Sequence, residues 1–424
     1  MKIGLLGCGT VGSSTARILL ERREHLEQRA GSPIELARIA VRTRRPSLPV
    51  PDEVWTTDPW DVVNDPNIDV VVELIGGQEP ALTLILAALK AGKHVVTANK
   101  EVVAAHSGEL FRAASEAGVD LLFEGAVGGG IPIVRPMKES LAGDRVERLM
   151  GIVNGTTNFI LTRMSETGSS LAESLAEATE LGYAEQDPTA DVEGFDAASK
   201  LAILASIAFE AFVAPDSVQR EGITSIRAED IAAAHALGYE VKLLAVADSA
   251  GGSVSARVHP AMVPKTHPLA SVRDVYNAVF IEAEHAGELM FLGRGAGGGP
   301  TASAVVADIV EVVRNVGAGA TGAAYAHPIE PAVIRPPEDV PVRFYIVLSV
   351  RDQPGVLAAV AGIFANHEVS IASVRQEGAG DDATLVLVTH TAPEGRHQRT
   401  FSELEDLPGV RSIDARIRVE GAEE

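Results

Sequence analysis

The chain begins with MKIGLLGCGTVG (residues 1–12), and this stretch decides the fold. Residues 1–6 form a mostly apolar run that ends at a glycine, which is typical of a buried parallel strand. Gly7, Gly9 and Gly12 have the G-x-G-x-x-G spacing of a turn between a strand and a helix. In such turns the first glycine permits the bend, the second admits a pyrophosphate and the third allows close packing. The spacing therefore predicts a dinucleotide-binding βαβ unit.

The residues after this turn extend the same pattern. Thr10 and Val11 open a predicted helix whose free amides and positive dipole end would face the phosphates. A glycine turn that binds nothing is the weaker alternative, because a strand and a helix flank the motif. Strands and helices alternate to about residue 130, which predicts an α/β fold with a Rossmann-type, doubly wound parallel sheet. The predicted strands are 1–6, 34–41, 69–75, 94–98 and 120–124, and the predicted helices are 10–23, 80–91 and 107–117.

The pattern changes after residue 130 and predicts two further domains. A mixed α+β domain is expected first, and its apolar helix 302–316 can return to the first domain. Its other predicted elements are a strand at 145–153, helices at 170–181, 194–209 and 228–236, and hairpins at 242–258 and 278–292. Five prolines between 327 and 341 predict a stiff connector, and the order strand, helix, strand, strand, helix, strand follows it.

These changes give the predicted domain boundaries. The dinucleotide-binding domain covers 1–130, completed by 301–320, and the α+β substrate and dimerisation domain covers 131–320. A proline-rich linker spans 321–341, and a ferredoxin-like domain spans 342–424.

Composition excludes several classes of function. The 424 residues carry a net charge of −22, which disfavours binding to nucleic acid phosphates. No apolar run approaches the ~18 residues of a membrane span, so no membrane partner is expected. Cys8 is the single cysteine, so no internal disulfide can form, which fits a reducing cytoplasm.

The end of the second predicted strand bears on the choice of cofactor. An acidic residue there would hold a ribose hydroxyl, but the chain reads VRTRR at 41–45. The guanidinium groups of Arg42 and Arg44 suit a 2′-phosphate, which favours NADP and leaves NAD possible. A solvated basic loop is the alternative, and the sequence does not show which of Arg42, Arg44 and Arg45 makes contact.

Two lysines are candidates for proton transfer to a carbonyl substrate. Lys100 follows the carboxyl end of a predicted strand, where ligands of open α/β sheets bind. Asp196 and Lys200 are four residues apart on one helix face, and the apolar run after them favours their burial. The alternatives are a surface lysine and an ordinary helical ion pair.

Three other features are candidates for binding. Glu185 and Asp191, with Asp196, form an acidic cluster that can hold an ammonium group or serve only for helix capping. Glu124 and the glycines after it predict either a site for a monovalent cation or a hinge. Gly297 lies in a glycine-rich turn before a helix and can offer the cofactor more amides.

Taken together, these stretches resemble the homoserine dehydrogenase family with a C-terminal ACT domain. The resemblance covers essentially all of the chain, and GYAEQDPTADVEGFDAASK at 182–200 is its most specific part. The other matching stretches are GLLGCGTVG at 4–12, TANKE at 97–101, EGAVGGGIP at 124–132, NGTTNFI at 154–160 and DQPGVLAAVAGIFANHEVSI at 352–371.

The resemblance implies reversible NAD(P)H-dependent reduction of L-aspartate 4-semialdehyde to L-homoserine, in the biosynthesis of threonine and methionine. Lys200 would be the general acid supported by Asp196, Lys100 the second lysine, and Glu185 and Asp191 the substrate carboxylates.

The resemblance also implies a sodium site and regulation. The sodium site would use Glu124 with backbone groups of Val127, Gly129 and Ile131. Threonine would be the effector of the ACT domain, unless that domain only dimerises, and a homodimer or homotetramer is expected. The rival interpretations are a non-catalytic sensor of NADP and an amino acid, and a dehydrogenase for another amino-aldehyde.

Overall fold

The structure is a computed structural model that describes residues 1–44, 48–322, 330–378 and 383–421. Arg45 and part of the predicted linker, 323–329, lie outside the described residues. The chain divides into two compact units. Unit 1 comprises Met1–Gly155, Asp196–Val218 and Val275–Ala332, and unit 2 comprises Thr156–Phe195, Gln219–Asp274 and Val333–Glu424. Within the described ranges, no helix is long and apolar enough to cross a membrane.

The secondary structure follows the chain in this order. The strands are β1 (Lys2–Leu6), β2 (Glu35–Ala40), β3 (Trp55–Thr56), β4 (Val70–Glu73), β5 (His94–Thr97), β6 (Leu121–Leu122), β7 (Val146–Ile152), β8 (Gln219–Arg220), β9 (Tyr239–Ala250), β10 (Ser253–Pro264), β11 (Tyr276–Ala283), β12 (Gly287–Arg294), β13 (Pro341–Val350), β14 (Ile371–Glu377), β15 (Ala383–Thr389), β16 (Ala392–Pro393) and β17 (Val410–Val419). The helices are α1 (Thr10–Glu21), α2 (Arg23–Ala30), α3 (Trp60–Val63), α4 (Ala81–Lys90), α5 (Lys100–Ala117), α6 (Gly155–Thr167), α7 (Leu171–Glu180), α8 (Thr189–Val192), α9 (Phe195–Ala208), α10 (Ala228–Ala236), α11 (Gly298–Ala318), α12 (Val356–Asn366) and α13 (Glu394–Glu405).

Unit 1 is built on a parallel sheet with the strand order β3-β2-β1-β4-β5-β6. The order reverses at β1, which pairs in parallel with β2 on one side and with β4 on the other. Residues of β4 are buried throughout, as expected for a strand with both faces covered. The predicted doubly wound parallel sheet is confirmed, and its switch point lies directly at the glycine turn.

Helix α11 belongs to the same unit although it follows β12 in the chain. A Cβ on Gly298 would lie 3.0 Å from the Thr10 carbonyl oxygen, so α11 starts directly against α1. The apolar residues of α11 are buried, among them Val305, Ile309 and Val312. The remaining strands of this unit form an antiparallel group in the order β12-β11-β7.

Unit 2 contains a mixed sheet in which two predicted motifs are joined. Strands β9 and β10 form the hairpin predicted around Gly251 and Gly252. Strand β10 pairs in parallel with β17, and the order continues β17-β13-β15-β14. With α12 and α13, these last four strands form the predicted βαββαβ unit, which confirms the ferredoxin-like fold. Its core includes Phe344, Leu348, Phe364, Phe401 and Leu404.

Three elements differ from the sequence prediction. Helix α5 begins at Lys100 rather than at 107, because the side chain of Asn99 accepts a hydrogen bond from the Val102 amide and caps it. The predicted strand 120–124 is shortened to β6, and a 3₁₀ turn follows at Glu124–Ala126. The residues after Asn154, for which the sequence predicts no element, form α6, and its buried residues include Phe159 and Ile160.

Gly12 and Gly9 provide a matched test of the glycine turn. A Cβ on Gly12 would lie 2.2 Å from the Gly7 carbonyl oxygen, whereas a Cβ on Gly9 would have no neighbour within 4 Å. We expect Gly12→Ala to lower the melting temperature, because the clash costs about 1–3 kcal/mol, which exceeds the gain in helix propensity. Gly9→Ala should keep the melting temperature and weaken cofactor binding. Calorimetry and cofactor titration check both, and equal melting temperatures for the two variants would contradict the assignment.

Candidate active site

The glycine turn opens onto a cavity at the carboxyl edge of the parallel sheet. Gly7 has a φ of +96°, and a Cβ there would lie 2.6 Å from the Leu74 carbonyl oxygen, so only glycine suits this position. The cavity has a volume of about 800 Å³ and is lined by the glycine turn, the end of β2 and the loop 74–76. Its size and the open face of Gly9 fit a dinucleotide whose pyrophosphate rests on the start of α1.

The two arginines predicted for the cofactor both line this cavity. Arg44 bonds to Asp52, and its guanidinium carbon lies 5.4 Å from the centre of the Trp55 ring. Arg42 is exposed and has no ion pair within the described part of the chain. Arg42 is therefore the guanidinium more readily available to a phosphate.

The glycine-rich turn before α11 lies beside the first helix of the chain. Gly297 has a φ of +119° and precedes α11. A Cβ on Gly298 would lie 2.9 Å from the Ser14 hydroxyl oxygen. The start of α11 is thus adjacent to the start of α1, in agreement with the idea that both contribute amides to one ligand.

A lysine–aspartate–lysine cluster lies in unit 1, where α5 and α9 begin. Lys200 donates to the Asp196 carboxylate at 2.7 Å and to the Val153 carbonyl at 2.8 Å. The Lys100 ammonium lies 3.0 Å from the other oxygen of Asp196. The structure therefore brings together the three residues that the sequence singled out for chemistry.

The charges in this cluster strongly favour an ionised Asp196. Burial alone would raise the pKa of Asp196, but the ammonium groups of Lys200 and Lys100 hold that pKa well below its ordinary value. The side chains of Asp196 and Lys200 are 10% and 12% exposed, while that of Lys100 is 36% exposed. Such shielding from water strengthens the interaction between the charges.

Asn154 is a site residue to which the sequence pattern assigned no role. Its side-chain amide donates to the Asp196 carboxylate at 2.9 Å. Because Asn154 follows β7, its position after a strand was the signal that could have identified it. Together with Val153, it connects the end of β7 to the charged cluster.

The predicted substrate carboxylates lie in unit 2. Glu185 is exposed after α7, and Asp191 is half-buried within the short helix α8. Their role in holding the substrate stays a prediction.

The segment predicted to bind sodium contains a carboxylate that the backbone already uses. Glu124 accepts hydrogen bonds from the amides of Ile133, Val134 and Arg135 at 2.7 to 2.9 Å. Across the described ranges, no group of three or more histidine, cysteine and acidic side chains is arranged to hold a metal. A cation at this segment would therefore rest on main-chain oxygens, such as those of Val127, Gly129 and Ile131.

Comparison with known proteins gives consistent matches along the chain. Family models match at 7–124 (homoserine dehydrogenase, NAD-binding domain), 132–310 (homoserine dehydrogenase) and 344–409 (ACT domain). The homoserine dehydrogenase of Corynebacterium glutamicum is 50% identical over 427 residues, which cover 99% of this chain and 95% of that protein.

The chain belongs to the homoserine dehydrogenase family. It is an NAD(P)-dependent oxidoreductase with a nicotinamide cofactor and a C-terminal ACT regulatory domain, which confirms the resemblance drawn from the sequence.

Solved structures of homoserine dehydrogenases support the same conclusion. The enzyme from Thiobacillus denitrificans has a TM-score of 0.93 and 42% identity, covering 99% of this chain and 98% of that one. A hyperthermophilic archaeal homoserine dehydrogenase in complex with NADPH has a TM-score of 0.63 and 30% identity, covering 74% of this chain and 98% of that one.

Replacement of Asp196 tests the charged cluster. Asp196→Asn keeps the shape of the side chain but removes the charge shared by Lys100 and Lys200. We expect a lower kcat, because the two ammonium groups lose the negative charge that lies between them. Steady-state rates and melting temperatures of the two proteins measure this. An unchanged kcat in a folded variant would show that the reaction does not depend on the charge of this carboxylate.

Proposed function

We propose that this chain reduces L-aspartate 4-semialdehyde to L-homoserine, with Lys200 as the general acid. The observation that carries this proposal is the buried Asp196 carboxylate, which both Lys100 and Lys200 contact. Lys100 follows β5, so it lies at the same carboxyl edge of the sheet as the cofactor cavity. This arrangement supports proton donation beside a bound nicotinamide.

The hydrogen bonds of Lys200 leave one donor for a substrate. An ammonium group has three N–H donors, and two of them point to Asp196 and Val153. When bound, the cofactor supplies the hydride, and Lys200 Nζ donates a proton to the developing alkoxide oxygen. Asp196 keeps Lys200 charged and oriented, while Lys100 adds a second positive charge. In this proposal, Glu185 and Asp191 hold the ammonium group of the substrate.

Two substitutions of Lys200 separate proton donation from charge. Lys200→Ala should lower turnover of the semialdehyde by about 10²–10⁴-fold, the usual contribution of a general acid. Lys200→Arg keeps the charge but is a far weaker acid, so it should remain slow. The rate of NADPH oxidation measures the turnover of each variant. It is recorded with the semialdehyde and with a panel of other amino-aldehydes. Near-normal turnover in a folded Lys200→Ala variant would exclude the role.

We propose that NADPH is preferred to NADH, with the 2′-phosphate held by Arg42. Arg42 lines the cavity after β2 without an ion pair in the described ranges, and a related archaeal enzyme is in complex with NADPH.

Substitution of each arginine tests this cofactor preference. Arg42→Ala should raise KM for NADPH about 10- to 100-fold, the usual range for a lost charge-assisted hydrogen bond, and leave KM for NADH unchanged. Arg44→Ala is the matched control and should have the smaller effect. A larger effect at Arg44, or an equal rise for NADH, would contradict the assignment to Arg42.

A sodium ion at 124–131 is a further part of the proposal. Gly128 and Gly129 have φ values of +74° and +55°, which supports a sharp turn that can expose main-chain carbonyls. Because Glu124 bonds to three amides, the ion would depend on those carbonyls. Replacement of NaCl by choline chloride at constant ionic strength, in the same assay, tests this site.

We also propose a homodimer or homotetramer that acts in threonine and methionine biosynthesis. Support for self-association comes from the edge strand β12, where Leu292 is 58% exposed. Light scattering of the purified protein measures the oligomer.

Threonine is the proposed effector of the ACT domain. The turn DQPG at 352–355 links β13 to α12, and Asp352 accepts a hydrogen bond from Gln376 of β14 at 2.9 Å. Removal of 342–424 is a poor test of this proposal, because β17 pairs with β10 and the buried Arg257 and His259 bond to Glu394 and Glu420. Such a truncation would leave buried polar groups without partners.

A point substitution therefore tests the effector. Asp352→Ala should abolish threonine inhibition and preserve the basal kcat, since the turn lies in the regulatory domain. Glu368→Gln, which removes an exposed ion pair with Arg396, is the control and should keep the inhibition. Rates with and without threonine measure this, and an intact enzyme that threonine does not inhibit would refute the proposal.

A further inference from the structure

Glu73 is a buried carboxyl group that the proposed mechanism does not use. It ends β4 and is 0% exposed. One carboxyl oxygen accepts hydrogen bonds from the amides of Ile75 at 2.7 Å and Gly76 at 3.3 Å. The other accepts a hydrogen bond from the Thr97 hydroxyl at 2.6 Å. No lysine, arginine or histidine pairs with it in the described part of the chain, and burial raises its pKa. A buried carboxyl group that is hydrogen-bonded but lacks a cationic partner is costly to ionise, so its position calls for an explanation.

The first partners of Glu73, the amides of Ile75 and Gly76, belong to the wall of the cofactor cavity. Ile75 and Gly76 line that cavity together with the glycine turn. Gly76 and Gly77 have φ values of +80° and +73°, so the loop bends sharply after β4. Because Glu73 draws two amides of this bend inward, it defines the shape of the wall that a bound cofactor meets.

The second hydrogen-bond partner of Glu73 is Thr97, which connects Glu73 to the start of α5 beside the lysine cluster. The Thr97 hydroxyl oxygen also accepts a hydrogen bond from the Asn99 amide at 3.0 Å. Asn99 caps α5, and its side-chain amide donates to the Gly77 carbonyl at 2.7 Å. Lys100 is the next residue, and its ammonium lies 3.0 Å from Asp196.

These bonds form a closed connection within unit 1. The loop 75–77 is linked to the start of α5 through Glu73 and Thr97. It is also linked through Asn99, whose side chain bonds to the Gly77 carbonyl and interacts with Glu73. The cavity wall is therefore hydrogen-bonded to Asn99, the residue that precedes Lys100.

We propose that Glu73 is a positioning residue that couples occupancy of the cofactor cavity to the placement of Lys100. It contacts neither substrate nor cofactor in this proposal, and it acts through Thr97 and Asn99. The inference rests on the proposed role of Lys100 in the reaction. A group that only stabilised the loop would affect cofactor binding and stability, but not the lysine-dependent step.

Thr97 separates these two roles, because its hydroxyl joins Glu73 to Asn99, whereas the amides of the loop are held by Glu73 itself. Thr97→Val removes the hydroxyl and leaves the two amide bonds of Glu73 in place. We expect kcat to fall about tenfold or more, while KM for NADPH stays within about twofold. We also expect the alkaline limb of the profile of rate against pH to move. Thr97→Ser returns the hydroxyl and should restore kcat and the profile.

Glu73→Leu alters both sides of the link, since it removes both acceptor oxygens. It should raise KM for NADPH and lower kcat together. If this variant fails to fold, the Thr97 pair still decides the question, with melting temperatures recorded for each protein.

Lys100→Met, measured in parallel, distinguishes failure of the coupling through Glu73 from failure of the proposed role of Lys100. If Lys100→Met loses turnover while Thr97→Val keeps the kcat and rate profile of the unsubstituted enzyme, the coupling is overturned and the role of Lys100 stands. If Lys100→Met itself retains full turnover, the proposed role of Lys100 fails and the coupling fails with it. Loss of kcat in Thr97→Val that Thr97→Ser does not restore also overturns the coupling.

Discussion

The charge on Asp196 is the interaction on which the candidate active site depends. Two ammonium groups within 3.0 Å of one carboxylate are stable together only because that carboxylate lies between them. Asp196 connects three segments of unit 1, namely the start of α5, the end of β7 and the first turn of α9. If the charge were lost, two like charges would face each other in a partly buried place, and the three segments would lose their common contact.

A second buried set of charges joins the ACT domain to the rest of unit 2. Arg257 of β10 and Arg418 of β17 both contact Glu394 at the start of α13. His259 bonds to Glu420 at 3.1 Å, and burial lowers the pKa of this histidine to about 4, so it is neutral at physiological pH. The ACT domain is therefore part of a continuous sheet with the β9–β10 hairpin. Strand pairing and these ion pairs therefore connect the domain to the hairpin.

Much of this architecture was predictable from local patterns. Gly7, Gly9 and Gly12 combine a strand, a turn and a helix in one short motif, and the alternation after them gave the parallel sheet. At α5 a local hydrogen bond decided the boundary, because Asn99 caps the helix that starts at Lys100. Helix α6 was not predicted, and in it buried apolar residues such as Phe159 and Ile160 follow buried threonines.

The sequence by itself determined the fold class, the family and the identity of the charged residues, because periodicity, glycine spacing and the stretch 182–200 are all local signals. It also indicated that Asp196 and Lys200 share a helix face, since four residues make about one turn. Only the tertiary structure decided that Lys100 reaches the same carboxylate from 96 positions away. It alone placed Asn154 and the buried Glu73 in the surrounding network. Such contacts depend on which strand ends meet at one edge of the sheet, and strand order is a property of packing that no short stretch of residues encodes.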